Sequence, residues 1–421
     1  MAAYGYPATA DGILRISLDR LPRRFSAWRA GARLLAEAVR YDLYRDRQAL
    51  RRNTSALATA VAKLAERQIA DGPAAGRLQP EPLSSDVPGA VDGLPAQAVA
   101  WQGLLAIGRV WSVTGRPDLA ARAAAVALKL EHALRVAVAA NERRLADGSL
   151  FVPSVLTDPP TAPYHRLTAT RDGSYWNLVM PYVFASGFFP PRSADAQAIA
   201  RYLFGHGSRL LGVTRADAHI AYGRYLVGDG LGAVYVANQS RFLADIDEPD
   251  QLVLTLYGML AAGMTPDTFV SGEAISLLPV GTAYYRTMYM SPNLGANSSF
   301  LETLELLLVH ERRGPHGSPR GLDLAFATPR GWLADGKTIA VQRLHTSFGP
   351  LSYELARTGS KIAITVSAPR APEHARLRLR LPIGTHLRSV RLGAHAIPFD
   401  HATGTVVLPR VRTLELTAIV R

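Results

Sequence analysis

The residues that could do chemistry are carboxylates with unusual neighbours. Glu273 lies in "FVSGEAIS", between small residues and apolar ones. A carboxyl in such surroundings is expected to hold its proton, which suits a general acid. Gly272 beside it would let a ligand approach the backbone. Asp172 lies in "RDGSYW", where Arg171 is expected to keep it ionised, as a base or nucleophile must be. Tyr175 and Trp176 then follow with flat apolar faces and polar edges, suited to stacking on a ring-shaped ligand. Asp229, in "VGDGLG", is the third candidate; Gly228 and Gly230 allow close approach. Each has a plainer reading. Glu273 could cap a helix or form a salt bridge. Asp172 or Ser174 could cap the helix that starts there, with both rings in the core, and Asp229 could be an N-cap.

A second chemistry uses other residues. Proton abstraction beside a carboxylate needs a His or Tyr base and an Arg or Asn to neutralise the charge. "ADAHIAYGRYLVGDG" holds His219, Tyr222, Arg224 and Tyr225, and "AYYRTMYMSPN" holds Tyr284, Tyr285, Arg286, Tyr289 and Asn293. A surface loop stiffened by tyrosines would read the same way. Other signals are missing. No G-x-G-x-x-G follows a strand, there is no P-loop, and "HGS" at 206–208 lacks a nucleophile-elbow context. No helix carries an i, i+4 His pair and the chain has no cysteine, so neither cofactor nor metal is expected.

These residues must be positioned by two kinds of element. From about 22 to 311 the apolar spacing is helical, with helices expected near 22–44, 51–70, 94–114, 119–143, 174–187, 194–211, 231–245, 249–264 and 296–312. The connections alternate in length. Short turns at 114–118, 188–193 and 247–249 alternate with long loops at 71–93, 144–173, 212–230 and 265–295. Short turns join antiparallel neighbours, so the long loops should all emerge on one face, where long ordered loops are usually functional. In "TGRPDL", Gly115 suits the end of one helix and Pro117 the start of the next; Asp247 before Pro249 is expected to cap in the same way.

After about 314 the period changes to two. Eight short alternating runs, from "LDLAFATP" to "TLELTAIV", are punctuated by Gly and Pro, which suggests an antiparallel β-sandwich. In "ARLRLRLP" alternation sends Leu377, Leu379 and Leu381 inward and Arg376, Arg378 and Arg380 outward.

Composition narrows the partners. The chain has 421 residues, 48% hydrophobic and 19% charged, enough for two or three domains with real cores. The net charge is +13 with only four lysines, so arginine carries it. Those arginines are scattered, which fits a compositional bias better than a nucleic-acid stripe. No apolar run reaches the roughly 18–20 residues of a membrane span. The first thirty residues contain no apolar core of a signal peptide. Neither nucleic acid nor membrane is therefore expected as a partner, and a cytoplasmic location is. "YGYPATADG" at Tyr4 reads like the interior of a domain.

Helical hairpins followed by a sandwich resemble the six-hairpin glycosidase superfamily. "LPAQAVAWQGLLAIGRVWSVTGRPDLA" (94–120), "RDGSYWNLVMPYVFASG" (171–187) and "TPDTFVSGEAISLLPVGTAYYRTMYMSPN" (265–293) look like its toroid helices and funnel loops. The resemblance implies an (α/α) toroid over 1–313 and a C-terminal β-sandwich over 314–421. A full ring has twelve helices and the spacing supports nine or ten, so the ring is incomplete or lacks an N-terminal segment. It also implies a glycoside hydrolase acting on an oligo- or polysaccharide. Glu273 would be the acid, Asp172 the base or nucleophile, and Asp229 next in line. Arg171, Tyr175, Trp176, His219, Tyr222, Tyr284, Tyr285 and Arg286 would be its substrate contacts. A polysaccharide lyase on the same scaffold and a non-catalytic carbohydrate-binding remnant stay open.

Overall fold

The computed structural model describes residues 4–19, 25–84, 87–216, 229–368, 370, 372–410 and 412–421. The chain forms two compact units: Met1–Arg20, Ala36–Asn53 and Glu305–Arg421 make one, and Leu21–Leu35 and Thr54–Leu304 make the other. The architecture is mixed, with helices and several largely antiparallel sheets.

Among the described residues there are ten α-helices: α1 Pro7–Asp19, α2 Ala27–Tyr44, α3 Arg47–Glu66, α4 Leu94–Val113, α5 Pro117–Asn141, α6 Arg171–Ala185, α7 Ala194–Gly205, α8 Val236–Asp245, α9 Pro249–Gly258 and α10 Leu294–Leu308. A π-helical turn, Met259–Gly263, extends α9. Helix α1 falls where the sequence reading placed no element.

Local chemistry sets the turns between α4 and α5, α6 and α7, and α8 and α9. Gly115 and Gly187 take φ of 80° after α4 and α6, a region open to glycine at little cost. Pro117 opens α5, and Ser193 caps α7 by accepting a hydrogen bond from Ala196 N–H. Asp247 does not cap α9. It takes the left-handed turn position, φ 63°, and Glu248 occupies the cap without a side-chain bond.

Within the second unit, the helices α2, α4, α6, α8 and α10 are successive neighbours. Gly31 and Gly103 let the α2 and α4 backbones touch, since a Cβ on either would run into the other's main chain. Gln102 donates to the Ala185 carbonyl at 3.5 Å, joining α4 to α6. Phe184 meets Phe242 at 5.4 Å, and Ser240 bonds Thr303 at 2.9 Å. The row curls, because Trp28 of α2 meets Tyr182 of α6 edge-on at 4.4 Å. Every long connection enters the N-terminus of a row helix.

Those connections carry their own strands. β1 Arg143–Arg144 pairs with β2 Leu150–Phe151. β3 Arg209–Leu210, β4 Val213–Ala216, β5 Gly230–Leu231, β6 Ala274–Val280 and β7 Ala283–Tyr289 form one sheet in that order. The stretch read as a loop at 265–295 is therefore largely a hairpin, closed by two residues with Gly281 at φ 61°.

The first unit is built on β8 Val309–Arg313, β9 Pro319–Leu324, β10 Thr338–Thr346, β11 Gly349–Thr358, β12 Lys361–Ser367, β13 His374–Arg378, β14 Leu387–Leu392, β15 His395–Ile397, β16 Phe399–Asp400, β17 Thr405–Leu408 and β18 Thr413–Val420. They make a six-stranded sheet, β10-β11-β12-β18-β14-β15, and a five-stranded one, β16-β17-β13-β9-β8. One pair, β9 with β13, runs parallel. Both sheets feed one core that includes Leu322, Leu377, Leu355, Ile364 and Leu416. Leu377, Leu379 and Leu381 point inward as alternation demands. The arginines between them do not reach open water: Arg378 and Arg380 are buried. Arg376 grips Asp323 with two bonds of 2.7 Å, and Arg378 covers the Phe326 ring at 5.0 Å. The second face of this strand is covered by protein, so alternation separated types without exposing the charges.

Candidate functional site

Three of the four long connections meet the mouth of α6 in one small cluster. Leu83 and Val87 come from the first, Tyr175 from the mouth of α6 that the second enters, Tyr235 from the third, and Ala274 and Tyr289 from the fourth. Leu178 and Val179 of α6 complete it.

The mouth of α6 is shaped by glycine. Thr170 caps the helix, its hydroxyl accepting from Gly173 N–H at 3.1 Å. A Cβ on Gly173 would run into the Leu167 carbonyl, so the turn Leu167–Ala169 packs directly on the first turn of α6. Thr170 as the cap leaves Asp172 exposed in the first helical turn, where its charge suits the helix dipole. Tyr164 faces that charge. Burial first, and Asp172 second, push its hydroxyl pKa up to about 12.

The two rings after Asp172 part company. Trp176 is fully buried, donates its indole N–H to the Val152 carbonyl at 2.7 Å, and stacks with Phe151 at 6.0 Å. It has no face to offer a ligand, so its expected stacking role gives way to packing. Tyr175 is 3% exposed and belongs to one buried cluster with Ala274, with the Arg171 guanidinium 5.6 Å from its ring centre. Among the described residues its buried hydroxyl has no hydrogen-bond partner. Native structures rarely leave such a group without a purpose.

Sheet pairing places the other two carboxylates. Glu273 is half-buried just before β6; its N–H donates to Tyr289 O at 2.8 Å and its carbonyl accepts from Val234 at 3.4 Å. Asp229 precedes β5, and its carbonyl accepts from Leu277 N–H at 2.8 Å. Leu277 stands four residues beyond Glu273, which at strand rise is roughly 13 Å. Asp229 is also engaged by Arg215, whose Nε is at 3.1 Å, and by Arg166 at 3.8 Å. Asp172 and Glu273 instead lie close in sequence to two residues of the cluster, Tyr175 and Ala274.

The remaining candidates divide. Tyr285 is 60% exposed on β7. Arg286 turns inward and donates to the carbonyls of Ala262 and Met264 at 3.2 and 2.8 Å, closing the end of the π-helical turn. Its expected substrate contact thus gives way to a capping role. Asn293 accepts from Ala296 N–H at 2.9 Å and caps α10. The side chain of Tyr284 lies outside the described part of the structure, as do His219, Tyr222, Arg224 and Tyr225.

Other loop carboxylates serve the scaffold. Glu81 caps α2 from a distance, accepting from Ala27 N–H at 2.7 Å. Asp92 pairs with Arg77 at 2.6 Å and accepts from Gln97, yet burial outweighs both and raises its pKa. Tyr164 and Tyr235 join the site without a sequence signal beyond lying in long connections. On the row helices, Tyr182 has its pKa raised mainly by burial, with Arg241 lowering it and Glu302 raising it. Arg241 pairs with Glu302 and donates to Asn238 at 3.0 Å.

Among the described residues no group of three or more His, Asp or Glu could hold a metal ion, and no helix is long and apolar enough to cross a membrane.

No known protein-family model matches this sequence, and no curated protein matches it. Several solved structures align with much of the chain at low identity. An alpha-L-rhamnosidase from Dictyoglumus thermophilum aligns with 92% of this chain at 10% identity and a TM-score of 0.46, and the chain spans 39% of that enzyme's length. A glycosidase aligns with 73% of this chain and 84% of its own, at 16% identity and a TM-score of 0.47. A sialidase aligns with 82% of this chain and 30% of its own, at 11% identity and a TM-score of 0.47.

Proposed function

We propose that this chain is a carbohydrate-active enzyme, a glycoside hydrolase, with an (α/α) hairpin toroid and a β-sandwich as its two architectures. Glu273 acts as general acid and Asp172 as base or nucleophile. The carrying observation is that three of the four long connections share one apolar cluster with the mouth of α6, and that Asp172 and Glu273 lie close in sequence to two of its residues, Tyr175 and Ala274. Glu273 is half-buried and Asp172 is exposed at a helix N-terminus, two different surroundings for the two carboxylates that glycoside hydrolysis uses. The exposed Tyr285 would meet a sugar ring face. Asp229 is held by two arginines, and His219 and Tyr222 would be further substrate contacts.

The test is one incubation over neutral and acidic polysaccharides, read for reducing ends and for the ultraviolet absorbance of unsaturated uronate. Reducing ends without new absorbance are expected. Glu273→Gln and Asp172→Asn should each then lower kcat by roughly 10²–10⁴-fold. Both signals rising together would replace this reading with a lyase.

A further inference from the structure

We propose a second, non-catalytic site on the outer face of the six-stranded sheet, which binds an acidic oligosaccharide through its carboxylates. A cleft of about 470 Å³ lies there, lined by Arg343, Pro350, Ser352, Ser367, Arg412 and Thr413. Register makes the lining regular. Ser352 stands opposite Ser367, and Ser367 opposite Thr413, so three hydroxyls cross β11, β12 and β18 in one row. An arginine brackets each end.

Arg343 is placed there by a bulge. The β10–β11 register slips between Val341 and Leu344, and Arg343 takes φ 52°, a conformation L-residues avoid. Its N–H donates to Ser352 Oγ at 2.9 Å, which holds the bulge. Bulges commonly re-aim a side chain in this way. Arg412, at the far end, gives its carbonyl to Ala368 N–H at 2.8 Å. Both arginines are exposed, and neither has a carboxylate partner among the described residues. Two unpaired guanidiniums are ready for bidentate carboxylate binding.

The spacing selects the ligand. Three strand steps put the two arginine backbones about 14 Å apart. One small anion would have to draw both side chains inward, whereas an extended chain with repeated charges meets each where it stands. The hydroxyl row between them matches a ligand rich in hydroxyls. The cleft has no aromatic ring for a base to stack on, which single-stranded nucleic acid would use. The site stands on residues 343–413 alone and does not depend on the catalytic reading.

The experiment is calorimetric titration of the full chain, at low salt, with hexagalacturonate, maltohexaose, a twelve-residue oligothymidylate and inorganic sulfate. The variant Arg343→Asn/Arg412→Ala keeps a residue tolerant of left-handed backbone at the bulge. Arg51→Ala/Arg122→Ala removes the same charge from exposed helix positions. Hexagalacturonate should bind the wild type, at least tenfold more weakly to the first variant, and within twofold of wild type to the second. Maltohexaose should not bind at the same concentrations. An equal loss in both variants would reduce the effect to net charge and overturn the site, as would no loss in the first. Sulfate or oligothymidylate binding as tightly as hexagalacturonate, with the same sensitivity to the first variant, would overturn the assignment of the ligand. Binding is read without turnover, so failure here leaves the hydrolase reading to its own test.

Discussion

At the scale of single residues, Tyr175 separates packing from function. Its ring is fixed between α6 and β6, and its hydroxyl lacks a described partner. Tyr175→Phe should therefore leave stability within about 0.5 kcal/mol of wild type. If the hydroxyl meets substrate, kcat/KM falls about tenfold while the melting curve stays put; thermal melts and steady-state rates together decide it. Asp323 makes a different case. Burial alone would raise its pKa, but hydrogen bonds from Arg376 and His310, with the charges of Arg376 and Arg312, hold it well below the ordinary carboxylate range. A depressed native pKa means the unfolded chain binds the proton more tightly. The stabilisation is thus complete above the ordinary Asp pKa of about 4 and is lost as pH falls below it. Asp323→Asn should cost roughly 2–3 kcal/mol at neutral pH, less than for fully dry pairs because both arginines are partly exposed. It should also flatten the acid limb of stability against pH, measured by denaturant melts from pH 3 to 7.

At the scale of elements, the Arg-Asp-Gly stretch before the two rings is a joint. Gly173 lets the Leu167–Ala169 turn lie against α6, and that turn follows the segment carrying Tyr164. Gly173→Ala should cost at least ~2 kcal/mol, because the obstacle is backbone and cannot rotate away. It should also depress kcat/KM more than Gly12→Ala, which meets open space in α1; circular dichroism melts and rates check the two effects. Helices were legible because burial on one side writes a 3.6-residue period. The β6–β7 hairpin was not, since Pro279 interrupts its first strand and proline is a poor strand signal. Trp176 and Arg286 were misread for one reason. A large ring or a guanidinium beside a loop looks the same in sequence whether it faces ligand, core or a frayed helix end.

At the scale of the whole chain, the change of hydrophobic period near 314 marks where strands begin to dominate, yet chain order does not divide the fold. The first unit takes Ala36–Asn53 from the helical region as well as the sheets, and α10 runs across the change at Leu304. A cut at 313/314 would part β8 from β9, its partner from Val309 to Arg313, and bare a strand carrying Leu322 and Leu324. Residues 314–421 expressed alone should therefore aggregate or stay unfolded, as sedimentation and circular dichroism would report.

By itself the sequence determined the element types, most of their order, and the alternation of long and short connections. These follow from local periodicity, turn chemistry and capping, which act over a few residues. The tertiary structure decided which loop residues meet. It set Tyr175 and Ala274 in one buried cluster, engaged Asp229 with two arginines, buried Trp176 and capped a helix with Arg286. Those outcomes depend on pairings between separate segments of the chain, and no local pattern encodes the distance across a folded loop.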